Sequence, residues 1–468
     1  MKTLIKNGRI VTAVDDYVAD ILVDDGRIET IGKAIAVGGD VQIHDASGLL
    51  VLPGGVDVHT HLDWAFGPSH TVDTFGTGTK AAAFGGTTTL IDFCNQTAGE
   101  SPLKGLEQWH KRRESACVDV GAHMIMLDVN PGSLEDMKSL IRREGVSSFK
   151  LFMAYPGVLM LDDGALFKAM RVAGANGALT CVHAENGPVI QVLVQEALEQ
   201  GLTAPKYHSS TRPSILEGEA THRAIRLSEL ARAPLYIVHL SSGDALTYVA
   251  EARDRGIPVH AETCPHYLFL TDEEYERPGF EAAKYVMTPP LRDRTHAQHL
   301  WRGLKTDDLQ VVSTDHCPFC FSAQPYGIKH SKQLGAARFS DIPNGAPGVE
   351  TRLPLVFEGA VLKQGMSINR FVEITATAPA KLFGLFPKKG TIAVGTDGDI
   401  VLFNPDEQWT IRAAEHHSRM DYSLFEGRTV TGRVKKVFLR GECIVDGASW
   451  LGHEGMGQFL SRGESGRI

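Results

Sequence analysis

Gly54-Gly55-Val56-Asp57-Val58-His59-Thr60-His61 is an apolar run that ends in two imidazoles on alternate positions. In a β-strand successive side chains point to opposite faces, so His59 and His61 leave the same face and can reach one ion together. Pairs at this spacing are often accidental, and this one gains meaning only from metal-capable side chains farther along the chain. Further strand-like runs are Thr87-Thr88-Thr89-Leu90-Ile91-Asp92, Ala122-His123-Met124-Ile125-Met126, Ser148-Phe149-Lys150-Leu151-Phe152 and Leu179-Thr180-Cys181-Val182-His183. Leu235-Tyr236-Ile237-Val238-His239, Val259-His260-Ala261-Glu262 and Gln310-Val311-Val312-Ser313-Thr314-Asp315 complete the set. Helical patterns separate several of them, for example Pro188 to Glu199 and Glu217 to Ala231. Continuous apolar strands alternating with helices indicate a parallel sheet covered on its outside, so the chain is expected to be α/β with a (β/α)8 TIM barrel.

The flanks have a different texture. Short alternating runs, Thr3-Leu4-Ile5-Lys6, Asp20-Ile21-Leu22-Val23 and Val41-Gln42-Ile43, are broken by turn residues. The same pattern returns in Gly390-Thr391-Ile392-Ala393-Val394-Gly395, Asp399-Ile400-Val401-Leu402-Phe403 and Val434-Lys435-Lys436-Val437-Phe438-Leu439. Hairpin-rich sequence at both ends predicts one smaller β-sandwich built from residues 1–53 and 388–446, around a barrel over 54–387. The Gly- and charge-rich stretch 447–468 has no apolar period and is expected to be a C-terminal arm or partly disordered.

With 468 residues and 43% hydrophobic content, the chain can bury a large core. A net charge of -9 without any basic cluster argues against nucleic acid and anionic membrane as partners and favours a small molecule. Met1-Lys2-Thr3-Leu4-Ile5-Lys6-Asn7-Gly8-Arg9 interrupts apolar residues with charge and Gly, so no secretory signal or membrane span is expected and the location is expected to be cytoplasmic. Seven scattered cysteines are not a disulfide framework, and Cys317 and Cys320, a CxxC without a second pair, read as ordinary reduced thiols.

His59, Lys150, His183, His239 and Asp315 each stand at or near the C-terminal end of an apolar run, the end where barrels build active sites. Neutral imidazoles with a carboxylate suit a divalent cation, zinc first, with cobalt, manganese or iron as competitors. Lys150 is the anomaly, because an ammonium has no lone pair and repels a cation. Carboxylation by CO2 resolves it: N6-carboxylysine offers oxygens that can bridge two ions. Two divalent ions beside Asp315, a carbamate and a bridging hydroxide then leave one net positive charge among neutral histidines. The plain alternative is a salt-bridging or surface lysine.

The set His59-x-His61, Lys150, His183, His239 and Asp315 resembles the binuclear-metal amidohydrolase superfamily, and the words around it are similar to its dihydropyrimidinase and D-hydantoinase branch. They include Ala83-Phe84-Gly85-Gly86-Thr87-Thr88-Thr89, Lys150-Leu151-Phe152-Met153-Ala154-Tyr155, His183-Ala184-Glu185-Asn186-Gly187, Glu262-Thr263-Cys264-Pro265-His266-Tyr267-Leu268 and Asn344-Gly345-Ala346-Pro347-Gly348-Val349-Glu350. The resemblance implies that one metal takes His59, His61, modified Lys150 and Asp315, and the other takes Lys150 with His183 and His239. It implies hydrolytic ring opening of 5,6-dihydropyrimidines and 5-substituted hydantoins to N-carbamoyl amino acids by a metal-bridged hydroxide, the chemistry of pyrimidine catabolism. Asp315 is the expected proton shuttle, and Tyr155 the expected oxyanion donor rather than a tyrosine packing at a loop edge. Main-chain groups of Thr288 and Asn344 are expected to grip the ureide edge; relatives often carry Ser at the first of these. Trp64, Phe66, Phe152 and Leu159 are candidates for the exocyclic pocket, and are equally able to pack on one another. Trp64-Ala65 stands where many relatives have Met-Pro, which bears on substituent size. His222, His260, His266 and His316 are expected to orient ligands or to be structural. The resemblance also implies a homotetramer. Alternatives are an allantoinase acting on another ureide, or a non-catalytic homologue of the kind found among neuronal signalling proteins, which have lost metal ligands.

Overall fold

A computed structural model describes residues 2–66, 69–322 and 331–466. Eight parallel strands, Gly55–Thr60, Thr87–Asn95, Asp119–Ile125, Ser148–Phe152, Leu179–His183, Leu235–Ile237, Val259–Thr263 and Val311–Val312, follow one another in chain order around a sheet. Helices such as Phe75–Phe84, Pro131–Arg142, Asp163–Ala175 and Ser214–Ala231 return the chain between them. Their starts follow from local chemistry. At Pro131–Arg142 the Asn130 side chain accepts from the backbone of Gly132 and Ser133, Pro131 occupies the first turn, and Met137 and Leu140 face inward.

The sheet nearly closes on itself, because the end of the first strand meets the segment after the last through the Thr60–His316 bridge. Arg352, fully buried, adds to the closure: its Nη1 donates to Val56 O at 2.9 Å on the first strand and to Val312 O at 3.0 Å on the last. This is the expected α/β barrel.

A separate, mostly antiparallel sheet unites the chain ends. Leu50–Pro53 pairs antiparallel with Ile400–Thr410, and on the other side lies beside Lys2–Val11. Ile5, Ile21, Val51, Ile400, Leu402 and Phe438 share one core, so neither end can bury its apolar face without the other. The Gly390 to Gly395 stretch, read as strand-like, is instead a loop. Gly390 and Gly395 are both in the left-handed region, and Thr396 Oγ1 closes the turn on Ala393 O at 2.8 Å. Lys389, 2% exposed, joins barrel and sheet by contacting Asp119 at 2.6 Å, Asp397 at 3.0 Å and Asp399 at 2.7 Å.

Two barrel strands are shorter than their apolar runs suggest. The sixth ends at Ile237 rather than His239, and the eighth spans only Val311–Val312 rather than reaching Asp315. The backbone is left-handed at both side chains of interest, with φ 39 at His239 and 47 at Asp315, and no strand continues through that geometry.

The C-terminal stretch has defined partners despite its polar composition. Gly457, Leu460, Arg462 and Ser465 donate backbone hydrogen bonds to Ala116, Val120, Gly145 and Gly177. These acceptors lie at or before the starts of successive barrel strands, so the arm runs across the end opposite the metal-capable residues.

Candidate active site

Strand order carries the candidate ligands to one end of the barrel. His61, Lys150, Tyr155, His183, His239, Thr288, Asp315 and Asn344 line a single cavity, with Trp64, Phe152 and Leu159 on its apolar wall. His59 lies just beneath, its Nε2 3.2 Å from Asp315 Oδ1, while His61 Nε2 is 3.3 Å from the same oxygen. Potential ligand atoms of His59, His61 and Asp315 all fall within 4.8 Å of one another. The side chain of Phe66 lies outside the described part of the structure.

Trp64, Phe152 and Leu159 face the cavity and also pack into one cluster with Phe93, Ile125 and Phe319. Phe93 was not singled out in the sequence, yet it backs the candidate ligands: its ring stacks on His61 at 4.8 Å and lies 4.9 Å from Lys150 Nζ. Its position on the second strand, facing inward, was the available signal.

Three backbone conformations stand out. Tyr155, with φ 63, joins His239 and Asp315 in the left-handed region. Each such non-glycine residue costs about 1–3 kcal/mol and persists only where surrounding contacts hold it. Those contacts are visible. Backbone N–H groups of Val158, Leu159 and Met160 all donate to Tyr155 O, and His239 N donates to Glu262 Oε1 at 3.2 Å.

Glu262 is a second residue that sequence reasoning left without a role. It accepts from His59 Nδ1 in a very short contact and from Tyr236 Oη at 3.0 Å. With Nδ1 protonated, His59 keeps its lone pair on Nε2, the nitrogen beside Asp315. On His183 the assignment is reversed, because Nε2 lies 2.7 Å from Glu185 Oε2, which leaves the lone pair on Nδ1. His316 is held at both nitrogens, by Asp73 at 3.0 Å and by Gly348 N–H at 3.1 Å, so it braces the loop after Asp315. His222 sits on the outer helix against Arg226.

Electrostatics favour lone pairs on the imidazoles. Burial lowers the pKa of His61 to about 4 and also lowers those of His183 and His239, so all three are neutral at physiological pH. Burial works against the Asp315 carboxylate, but His59, His61 and Lys150 outweigh it and hold its pKa below the usual range. Burial pushes Lys150 down to about 8, partly opposed by Asp315 and Glu262. Burial pushes Tyr155 up to about 12, so its phenol stays protonated.

The donor set fits metal ions. Among the described residues, His59 Nε2 and His239 Nδ1 are buried nitrogens without a hydrogen-bond partner. Buried polar atoms left unpaired typically cost about 1–3 kcal/mol each, a cost that a cation at this place removes. Glu262→Gln is expected to weaken metal binding by about tenfold or more, since it loosens the group that orients His59. Competition with a chromophoric chelator measures this, and unchanged affinity would remove Glu262 from the site.

Comparison with known proteins agrees with the geometry. The amidohydrolase family matches residues 50–444. The chain is 49% identical to a D-hydantoinase of Streptomyces coelicolor over 98% of both chains, and 48% identical to one of Geobacillus stearothermophilus over all of this chain and 98% of the other. Its structure is similar to the crystal structure of dihydropyrimidinase from Brevibacillus agri, with a TM-score of 0.97 at 48% identity and all of both chains covered.

Proposed function

The chain belongs to the amidohydrolase family, and on that premise we propose that it opens the rings of 5,6-dihydropyrimidines and 5-substituted hydantoins to N-carbamoyl amino acids. It is a cyclic amidohydrolase. Neither an allantoinase nor a non-catalytic homologue is favoured, since the full-length relatives are hydantoinases and every candidate ligand is present. The observation that carries the reading is the gathering of four histidines, Lys150 and Asp315 at one cavity whose rim holds Tyr155, Thr288 and Asn344.

His59, His61 and Asp315 would hold one divalent ion, His183 and His239 the other, and carboxylated Lys150 would bridge them. Zn2+ suits this mixture of nitrogen and oxygen donors. When bound, the ions supply an acidified water and polarise the substrate carbonyl. Asp315 takes the proton of the attacking water and hands it to the ring nitrogen as the C–N bond breaks. Tyr155, protonated across the working pH range, donates to the carbonyl oxygen as it gains charge. Main-chain groups of Thr288 and Asn344 pair with the ureide edge, while Trp64, Phe152 and Leu159 receive the exocyclic substituent. Lys150 is suited to carboxylation because burial lowers its amine pKa to about 8, so a nucleophilic neutral fraction exists to meet CO2. The reading includes a homotetramer, the domain division at residues 53, 387 and 446, and a reducing, cytoplasmic setting for the odd set of cysteines.

The test is turnover of dihydrouracil, a bulky 5-substituted hydantoin and allantoin on one preparation of measured metal content. Ring opening of the first two, abolished by chelation and restored by Zn2+, is expected. Turnover of allantoin alone, or full activity after complete metal removal, would overturn the reading.

A further inference from the structure

Lys332 is a fully buried lysine. Its Nζ donates to three main-chain carbonyls, Val286 O at 2.6 Å, Pro343 O at 2.7 Å and Gly345 O at 2.7 Å. Among the described residues no carboxylate forms an ion pair with it. Burying an ammonium without a counter-charge is unfavourable, and burial lowers the Lys332 pKa to about 7; three short bonds to carbonyls offset part of that cost.

The positions of those carbonyls give the contact its meaning. Val286 lies two residues before Thr288, and Pro343 and Gly345 flank Asn344. The two segments also touch directly, through Gly345 N–H and Val286 O at 3.2 Å. His208, whose Nε2 lies 2.7 Å from Met287 O, holds the first segment from another side. Cys317 N–H donates to Ala346 O at 3.1 Å, linking the second segment to the loop that carries Asp315. Thr288 and Asn344 sit on loops, where backbone placement is loose unless something fixes it. One nitrogen bonded to both segments fixes their separation.

We propose that Lys332 is a positioning residue that sets the spacing of the Thr288 and Asn344 backbones, and so the width of the slot that reads the ureide edge of the substrate. This rests on the cyclic-amide reading of the site. Lys332 is not among the residues lining the cavity. Its loss therefore acts on recognition, not on the hydrolytic centre.

Lys332→Met in the metal-loaded protein is expected to raise KM for hydantoin by about tenfold or more, because small displacements of positioning groups have large effects. Inhibition by acetohydroxamate, a metal-directed probe that does not need the ureide slot, should stay within about twofold of the parent. Amide hydrogen exchange should quicken in 286–289 and 343–346 but not in 59–61. An unchanged KM, a KM and inhibition constant that rise together, or unchanged exchange in the two segments would overturn the proposal. Lys332→Gln, which keeps a shorter donor, replaces the Met variant if that one does not fold, and is read by the same outcomes. If the parent protein opens neither hydantoin nor dihydrouracil, the cyclic-amide reading fails, and the exchange comparison alone still decides whether Lys332 tethers the segments.

Discussion

Tyr155→Phe is expected to lower kcat on hydantoin or dihydrouracil by about a hundredfold or more while leaving the metal content unchanged. One oxyanion donor typically contributes about 3 kcal/mol to the barrier, which sets that scale. The substitution removes only the hydroxyl, and the ring keeps its contacts with Phe152 and His183. It also keeps the left-handed backbone, which is fixed by three N–H groups donating to the residue's own carbonyl. The hydroxyl also accepts from Asn344 Nδ2 at 3.5 Å, so a fall in kcat with KM held is the result that assigns the loss to the missing donor. The phenol pKa, raised to about 12 by burial, adds a second reading. Below that value the donor is fully present, so the parent's pH profile should show no loss from tyrosine ionisation between neutrality and pH about 10, well under the shifted value. Turnover of the variant within about threefold of the parent would return Tyr155 to a packing role.

Removal of Lys150 should be more severe. Lys150→Ala is expected to lose bound metal and to lower activity by about a thousandfold or more, because it removes the group proposed to bridge the ions. The side chain is 1% exposed, so truncation leaves a buried space beside Asp315. A short carboxylate such as propionate, added with Zn2+, can enter that space and supply two oxygens. Partial recovery of metal binding and turnover is therefore expected in Lys150→Ala. No recovery is expected in Lys150→Arg, which keeps a positive charge where the cations must sit. Intact mass of the parent protein should carry the added mass of CO2 under mild conditions. A free amine with both metals bound would sink the carboxylation, whatever the variants do.

Much of this site was readable in advance, for a physical reason. In a parallel barrel each strand is a short continuous apolar run and neighbours in sequence are neighbours in space. A polar residue at the end of such a run is thereby placed at one end of the barrel before any distance is known. That is why His59, Lys150, His183, His239 and Asp315 could be grouped from sequence, and they do gather at one cavity. Strand ends were less legible. Apolar content continues through Val238, and the β-branched Thr314 follows Val312, while the backbone has already left the strand to present His239 and Asp315.

Hydropathy and strand periodicity are properties of neighbouring residues, so the sequence by itself determined the barrel, the sheet shared by the two chain ends, and the candidate ligand set. What only the tertiary structure decided depends on contacts between distant parts of the chain. Glu262 reaches His59 across 203 positions and selects which of its nitrogens bears the lone pair. Phe93 comes to back the ligands because its strand lies beside the one that leads into His61. Lys332 meets carbonyls 46, 11 and 13 positions away, and nothing in its local sequence distinguishes it from a surface lysine. A hydrogen bond is short and directional, and which atoms come within about 3 Å is set only when the whole chain has packed.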